Sequence, residues 1–285
     1  MSYDTDLPGR FIDVMLRPGS EADVAYRRRA LEHARTRPRV RGAATTGPND
    51  LTRLGGKIVP NSLFRNVYLG GSALWTAEDV DNIDTSIGLA MRDQRLENVL
   101  RQYFRGHRIT CDREASLHPT WARTDVFGRG NVPAVLRELF ANGDATDKNL
   151  DVTLFNILLP KQVELRLGGS SSRNGLGGFH GSLELEIGGR LRAVYYSVNV
   201  YCEAPADGLE NGIVTFNEPW KNTVAVLYHE INEFRTDPDV ERANAARTDE
   251  EATSLIGWIS AAGEEIGDHP LSGGFSLGQV IREEL

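Results

Sequence analysis

Thr223-Val-Ala-Val-Leu-Tyr-His-Glu-Ile-Asn-Glu-Phe-Arg-Thr-Asp-Pro238 sets one histidine and three carboxylates on a segment that reads as a single helix. Apolar Val224, Leu227, Tyr228, Ile231 and Phe234 recur at the three- and four-residue spacing of a buried helix face. His229 and Glu233 lie one turn apart on another face, and Glu230 leans towards the same side. Asn217 and Pro219 mark the start of this helix, and Pro238 disfavours helical geometry in the residue before it, so the helix is predicted to end near Asp237. An imidazole, an adjacent carboxylate and a carboxylate one turn on form a ligand, base, ligand order.

Upstream of the helix the chain is β-rich. Residues 152–159 form a continuous apolar run, predicted as a buried strand, and residues 162–167 alternate. The glycine- and serine-rich stretch 168–178 lacks the Gly-Lys-Ser/Thr ending of a phosphate loop and is predicted to be a mobile hairpin or flap. Residues 182–187 and 190–201 flank Gly188-Gly189, a two-residue hairpin signal, and 213–216 read as a last short strand. Downstream, 239–252 read as a charged, exposed linker. Gly257 to His269 then gathers Glu264, Glu265, Asp268 and His269 in a glycine-punctuated loop.

The N-terminal half is less regular. Residues 1–58 are rich in Arg, Pro and Gly and are predicted to be an irregular arm, with one helix over 21–35 whose Arg27-Arg28-Arg29 run docks on the chain's own acidic body. Residues 59–285 read as a single domain. Within it, 63–69 is a strand, Thr76 caps a helix to about Met91, a second helix covers 94–104, and 131–140 is a short amphipathic helix. His107 and His118 have no acidic partner at helical spacing and are assigned surface or core roles. The fold class expected is α+β, with a twisted, mainly antiparallel or mixed sheet packed on helices that include the site helix.

At 285 residues with 40% hydrophobic and 25% charged residues, the composition is that of a soluble globular protein. A net charge of −8 argues against nucleic acid as a partner, because phosphate neutralisation needs clustered Lys and Arg. Two cysteines, Cys111 and Cys202, give no disulfide framework and no zinc knuckle, and are predicted to be buried thiols. No apolar run is long enough to span a membrane and no leader is visible at the N-terminus, so the expected location is cytoplasmic.

The helix spacing is that of a zincin-type metal site, in which a His and a second ligand one turn apart flank a Glu that acts as general base. Here His229 and Glu233 are the ligands and Glu230 the base, with Glu in place of the usual second His. One imidazole with carboxylates makes a hard, anionic site, so Zn2+ is expected, with Mn2+ or Ca2+ as alternatives. A third ligand is needed. Asp237 lies roughly 12 Å from His229 along a straight helix, so it is a ligand only if the helix breaks before Pro238 and folds it back; Glu265 or Asp268 from the later loop are the preferred donors, with Asp237 otherwise a supporting group. His180, or a tyrosine from 195–201, is a candidate to support an oxyanion, with the glycine-rich loop as a lid.

His229-Glu-Ile-Asn-Glu-Phe-Arg-Thr-Asp-Pro238, followed by Gly257-Trp258 and Gly263-Glu-Glu-Ile-Gly-Asp268, resembles the Exordium or phosphate-induced protein family and its bacterial relatives. Fainter echoes are Leu158-Leu-Pro160, Gly178-Phe-His-Gly181 and 195–202, so the likeness covers roughly residues 150–270. The resemblance implies a zincin-like fold and a metallopeptidase acting on a peptide or amide substrate. Members of that family tend to be secreted and to carry a Cys after the Gly-Asp step, where this chain has His269. The alternatives to a metal-dependent hydrolase are a non-catalytic binding protein stabilised by an ion, and a metal-dependent modifying enzyme of a biosynthetic pathway.

Overall fold

The structure, a computed structural model, describes residues 14–34, 51–205, 208–260 and 263–268; His269 lies outside these. The first half of the described chain runs β1 (Val14–Leu16), α1 (Glu21–Ala34), β2 (Thr52–Arg53), β3 (Asn61–Tyr68), α2 (Gly71–Leu74), α3 (Ala77–Ala90), α4 (Gln94–Leu100), β4 (Thr110–Arg113), β5 (Val126–Gly128) and α5 (Val132–Ala141). The second half runs β6 (Thr153–Leu158), β7 (Glu164–Leu167), β8 (Ser170–Ser171), β9 (Leu176–Ile187), β10 (Arg190–Asn199), α6 (Pro219–Thr236), α7 (Val240–Ala245), α8 (Asp249–Leu255) and β11 (Trp258–Ile259).

Six strands form the main sheet in the order β1-β9-β10-β6-β3-β4. The β1–β9 and β9–β10 pairs are antiparallel, while β10–β6, β6–β3 and β3–β4 are parallel. The fold is therefore α+β with a mixed sheet, and parallel pairing has a larger share than the sequence led us to expect. A parallel centre needs cover on both faces. The apolar run of β6 reflects this, because Leu154 and Leu158 join one core with Phe64, Tyr68, Tyr195 and Tyr201, while Phe155 and Ile157 join the other with Phe179, Tyr196 and Leu136. Helix α6 contributes Leu227, Ile231 and Phe234 to the first core. Gly188 and Gly189, with φ of 58° and 75°, turn β9 into β10 as a two-residue hairpin of the type that needs positive φ at both positions.

A polar row crosses the sheet. Ser197 is in register with His180 on one side and Asn156 on the other, and Asn156 is in register with Asn66. Ser197 Oγ donates to Asn156 Oδ1 (2.8 Å), Asn156 Nδ2 to Asn66 Oδ1 (3.0 Å), and Asn66 Nδ2 to Asp84 Oδ1 on α3 (2.7 Å). Ser197, Asn156 and Asn66 are buried, and each bond avoids the roughly 1–3 kcal/mol cost of an unpaired buried polar group.

Four expectations need correction. Within the stretch expected to be an irregular arm, residues 14–16 are an edge strand of the main sheet and 52–53 pair with β11; Val14 and Met15 are core residues. The arginine-bearing helix docks as expected, with Arg27 bridging Asp23 and Glu264. Residues 213–216 form no strand, because the Asn222 side chain takes the Thr215 and Phe216 N–H groups (2.8 and 2.7 Å) in place of a ladder. The charged linker at 239–252 is two short helices that bury Val240, Ala243 and Ala252. The flap is structured too: Ser170 and Ser172 are buried and β9 already begins at Leu176. Among the described residues no helix is long and apolar enough to cross a membrane.

Candidate metal centre

The site helix lies unusually deep. Every residue of α6 from Asn222 to Thr236 is buried, so the polar side of the helix faces protein and not solvent. Its approach to β9 depends on glycine. A Cβ on Gly178 would stand 2.8 Å from Val226 Cγ1 and 3.0 Å from Glu230 Oε1, and one on Gly177 2.9 Å from Ile213 Cδ1. These glycines therefore serve close packing of helix on sheet rather than mobility. At the other end, the helix closes with Asp237 N donating to Glu233 O (2.7 Å), and Gly257 N donating to Asp237 Oδ1 (3.0 Å) brings the later segment back to the helix terminus.

Seven titratable groups meet where β9, α6 and the 263–268 segment converge, and their atoms form two triads that share Glu233. In one, His229 Nε2 lies 3.0 Å from Glu233 Oε1 and 3.6 Å from Asp268 Oδ1. In the other, His180 Nδ1 lies 3.5 Å from Glu230 Oε2 and 3.6 Å from Glu233 Oε2. Glu265 Oε1 is 3.6 Å from His180 Nε2, and the Asp237 carbonyl faces the same nitrogen at 3.1 Å. Asp268 is thus the loop acid that converges with His229 and Glu233. Glu265 and Asp237 stand beside the triads, and the Asp237 carboxylate is turned to Gly257.

The polar atoms here lack hydrogen-bond partners. Both oxygens of Glu230, Glu233 and Glu265, Asp237 Oδ2, Asp268 Oδ2, His180 Nδ1 and His229 Nε2 are all in this condition. Burying so many unpartnered acceptors is costly unless a cation answers them, which is the observation that fits a metal to these residues. Without an ion the protons redistribute. Burial lifts the Glu230 carboxyl to about 7 and Asp237 to about 8, and raises Glu265 and Asp268 well above the carboxylate range. Burial also opposes ionisation of Glu233, but the facing imidazoles of His229 and His180 pull it down to about 2. Burial alone would lower both histidines; the carboxylates around them raise His229 to about 10 and His180 well above its ordinary value.

The tyrosines considered as oxyanion donors are engaged elsewhere. Tyr195 OH accepts from Lys57 Nζ (3.0 Å), Tyr196 OH donates to Glu241 (2.7 Å) and Tyr201 OH to Asp79 (2.7 Å). His118 stacks on Tyr68, His107 is exposed, and Cys111 and Cys202 are buried and not disulfide-bonded, as expected. A separate cleft of about 570 Å3, lined by Arg92, Arg101, Arg105, His107 and Arg108, shares no residue with the acidic centre. Sequence reasoning missed Gly267, where a Cβ would stand 2.6 Å from His229 Nδ1 and 2.9 Å from Glu233 Oε1. Its position between Glu265 and Asp268 was the available signal, since a glycine beside ligands often marks close backbone approach. Among known proteins, no family model, curated protein or solved structure matches this chain.

Proposed function

We propose that the chain is a metal-dependent hydrolase of zincin type that cleaves a peptide or other amide bond. The supporting observation is the convergence of His229, Glu233 and Asp268, all buried, whose potential ligand atoms lie within 4.8 Å of one another, with His229 Nε2 and both Glu233 oxygens unpartnered. Zn2+ suits one imidazole and two carboxylates, with Mn2+ or Ca2+ as harder alternatives. When bound, such an ion lowers the pKa of water and polarises a carbonyl. The protein's own part is proton transfer and positioning. Glu230, next to His229 in the chain, is the proton acceptor; in the ion-free protein burial raises its carboxyl to about 7, and its place beside His229 is what suits it to the role. His180, whose Nε2 faces the Asp237 carbonyl, stands on the sheet side of Glu230 and Glu233. Substrate would enter past His229 and Asp268, which are 8% and 5% exposed, whereas Glu230, Glu233 and Glu265 are at 0%.

The test combines metal analysis by mass spectrometry with hydrolysis of a fluorogenic peptide library. Wild type should carry a divalent ion. His229→Ala should lose the ion of its triad together with activity, and Glu230→Gln should keep that ion while turnover falls roughly 10²–10⁴-fold. Full turnover by Glu230→Gln would remove the base assignment, and a wild type without metal would remove the centre itself. The depth of Glu230 and Glu233 also favours a second reading, an ion that only stabilises a binding protein. Bound metal with no cleavage anywhere in the library would establish that reading.

A further inference from the structure

We infer that the centre is built for two cations, the second held by His180 Nδ1, Glu230 Oε2 and Glu233 Oε2, with Glu233 bridging it to the ion at His229, Glu233 and Asp268. The inference rests on the proposed metal centre and extends it. Three observations carry it.

The first is the tautomer of His180. Its Nε2 lies 3.1 Å from the main-chain oxygen of Asp237, which accepts only, so Nε2 carries a proton, and the neutral ring that an ion requires would turn its Nδ1 lone pair to Glu230 and Glu233. A ligating imidazole typically donates its other N–H to a carbonyl or carboxylate in this way.

The second is spacing. The 3.5 and 3.6 Å separations from Nδ1 exceed the roughly 2.7–2.9 Å of a charge-assisted hydrogen bond, and Nδ1 makes none. Atoms 3.5 Å apart, each ~2.1 Å from a shared ion, subtend about 115° at it, close to the tetrahedral preference of zinc. The groups are too far apart to satisfy one another and suitably placed to hold an ion between them.

The third is the orientation of Glu233. It presents Oε1 to His229 and Oε2 to His180, one oxygen to each triad, as a carboxylate does when it spans two metals roughly 3.5–4 Å apart. Charge agrees. Five buried carboxyl groups, Glu230, Glu233, Asp237, Glu265 and Asp268, gather with two imidazoles, more than one divalent ion would neutralise once all are ionised. In the two-ion state Glu230 ligates through Oε2, which leaves Oε1 to carry a proton.

The experiment loads metal-stripped full-length protein with Zn2+, counts ions per chain after desalting, and repeats this for His180→Gln. A second loading with Mn2+ is followed by electron paramagnetic resonance on wild type alone, so no variant has to fold. Two zinc ions in wild type, one in His180→Gln, and an exchange-coupled manganese signal are the expected results. One zinc in both proteins with an uncoupled manganese signal would overturn the second site and leave the first in place. No zinc in wild type would overturn both.

Discussion

Glycine 267 shows how much of the centre depends on a missing side chain. The space a methyl group would need at this position is taken by the His229 ring and Glu233 Oε1, both on the rigid wall of α6. Gly267→Ala must therefore push the 263–268 segment outward and carry Asp268 away from His229. Zinc affinity measured by competition with a chelating dye should fall roughly 10–100-fold, the usual effect of disturbing the support of a metal ligand. Gly188→Asn, at an exposed turn where Asn tolerates positive φ and nothing crowds a Cβ, should leave affinity unchanged. Equal affinities for wild type and Gly267→Ala would mean that Asp268 is not a ligand.

At the scale of elements, α3 rather than α6 offers the cleanest test of local sequence signals. Thr76 has extended backbone geometry and its hydroxyl accepts from Asp79 N at 3.0 Å, a side-chain cap of the first turn. Thr76→Ala should cost about 1 kcal/mol in urea unfolding. Metal stoichiometry should not move, since the side chains of α3 bond to Tyr201, just past β10, and to Asn66 of β3, and its packing on α6 runs through apolar Ile83 and Ile87 and not through the acidic cluster. This cap, the Gly188-Gly189 turn and the proline-bounded α6 were legible in the sequence because each is decided by residues adjacent in the chain. Helices α7 and α8 were not: at six and seven residues they bury only small or isolated apolar groups, too few to set a period. Strand β1 escaped for a different reason, because three residues gain strand identity only from their partner Phe179-Gly178-Leu176. In the site, His229, Glu230 and Glu233 could be read from helical spacing, whereas His180 and Asp268 meet them only through tertiary structure, which spacing cannot encode. The glycines before His180 misled because glycine signals mobility and tight packing in the same letter.

For the whole molecule, the buried acids couple stability to pH in opposite directions with and without metal. In the metal-free protein Glu230 titrates near 7 against an ordinary 4.5, Asp237 near 8 against 3.8 and His229 near 10 against 6.5. All three are raised, so the native state binds more protons between each pair of values and loses stability as pH climbs through that window. Glu233, depressed to about 2, acts oppositely, but only below about pH 4.5. Chelator-treated protein should therefore melt highest near pH 4–5 and progressively lower towards pH 9. Metal needs deprotonated ligands, so the gap in Tm between loaded and stripped protein should widen from pH 5 to pH 8. Scanning calorimetry across that range decides the matter, and a stripped-protein Tm that rises with pH would contradict this picture of the site.

The edge strand β1 has a consequence for how the molecule comes into being. Val14 and Met15 are separated by more than 160 residues from their partners in β9, Phe179 and Gly178, so synthesis delivers β1 long before the strand it pairs with. Contacts so distant in sequence form late, because a long loop must close before they are rewarded. The nascent chain thus carries an unpaired hydrophobic strand until β9 is made, and His180 shares β9 with the residues that finally capture it. Docking of β1 and burial of His180 are then late events on neighbouring residues of the same strand.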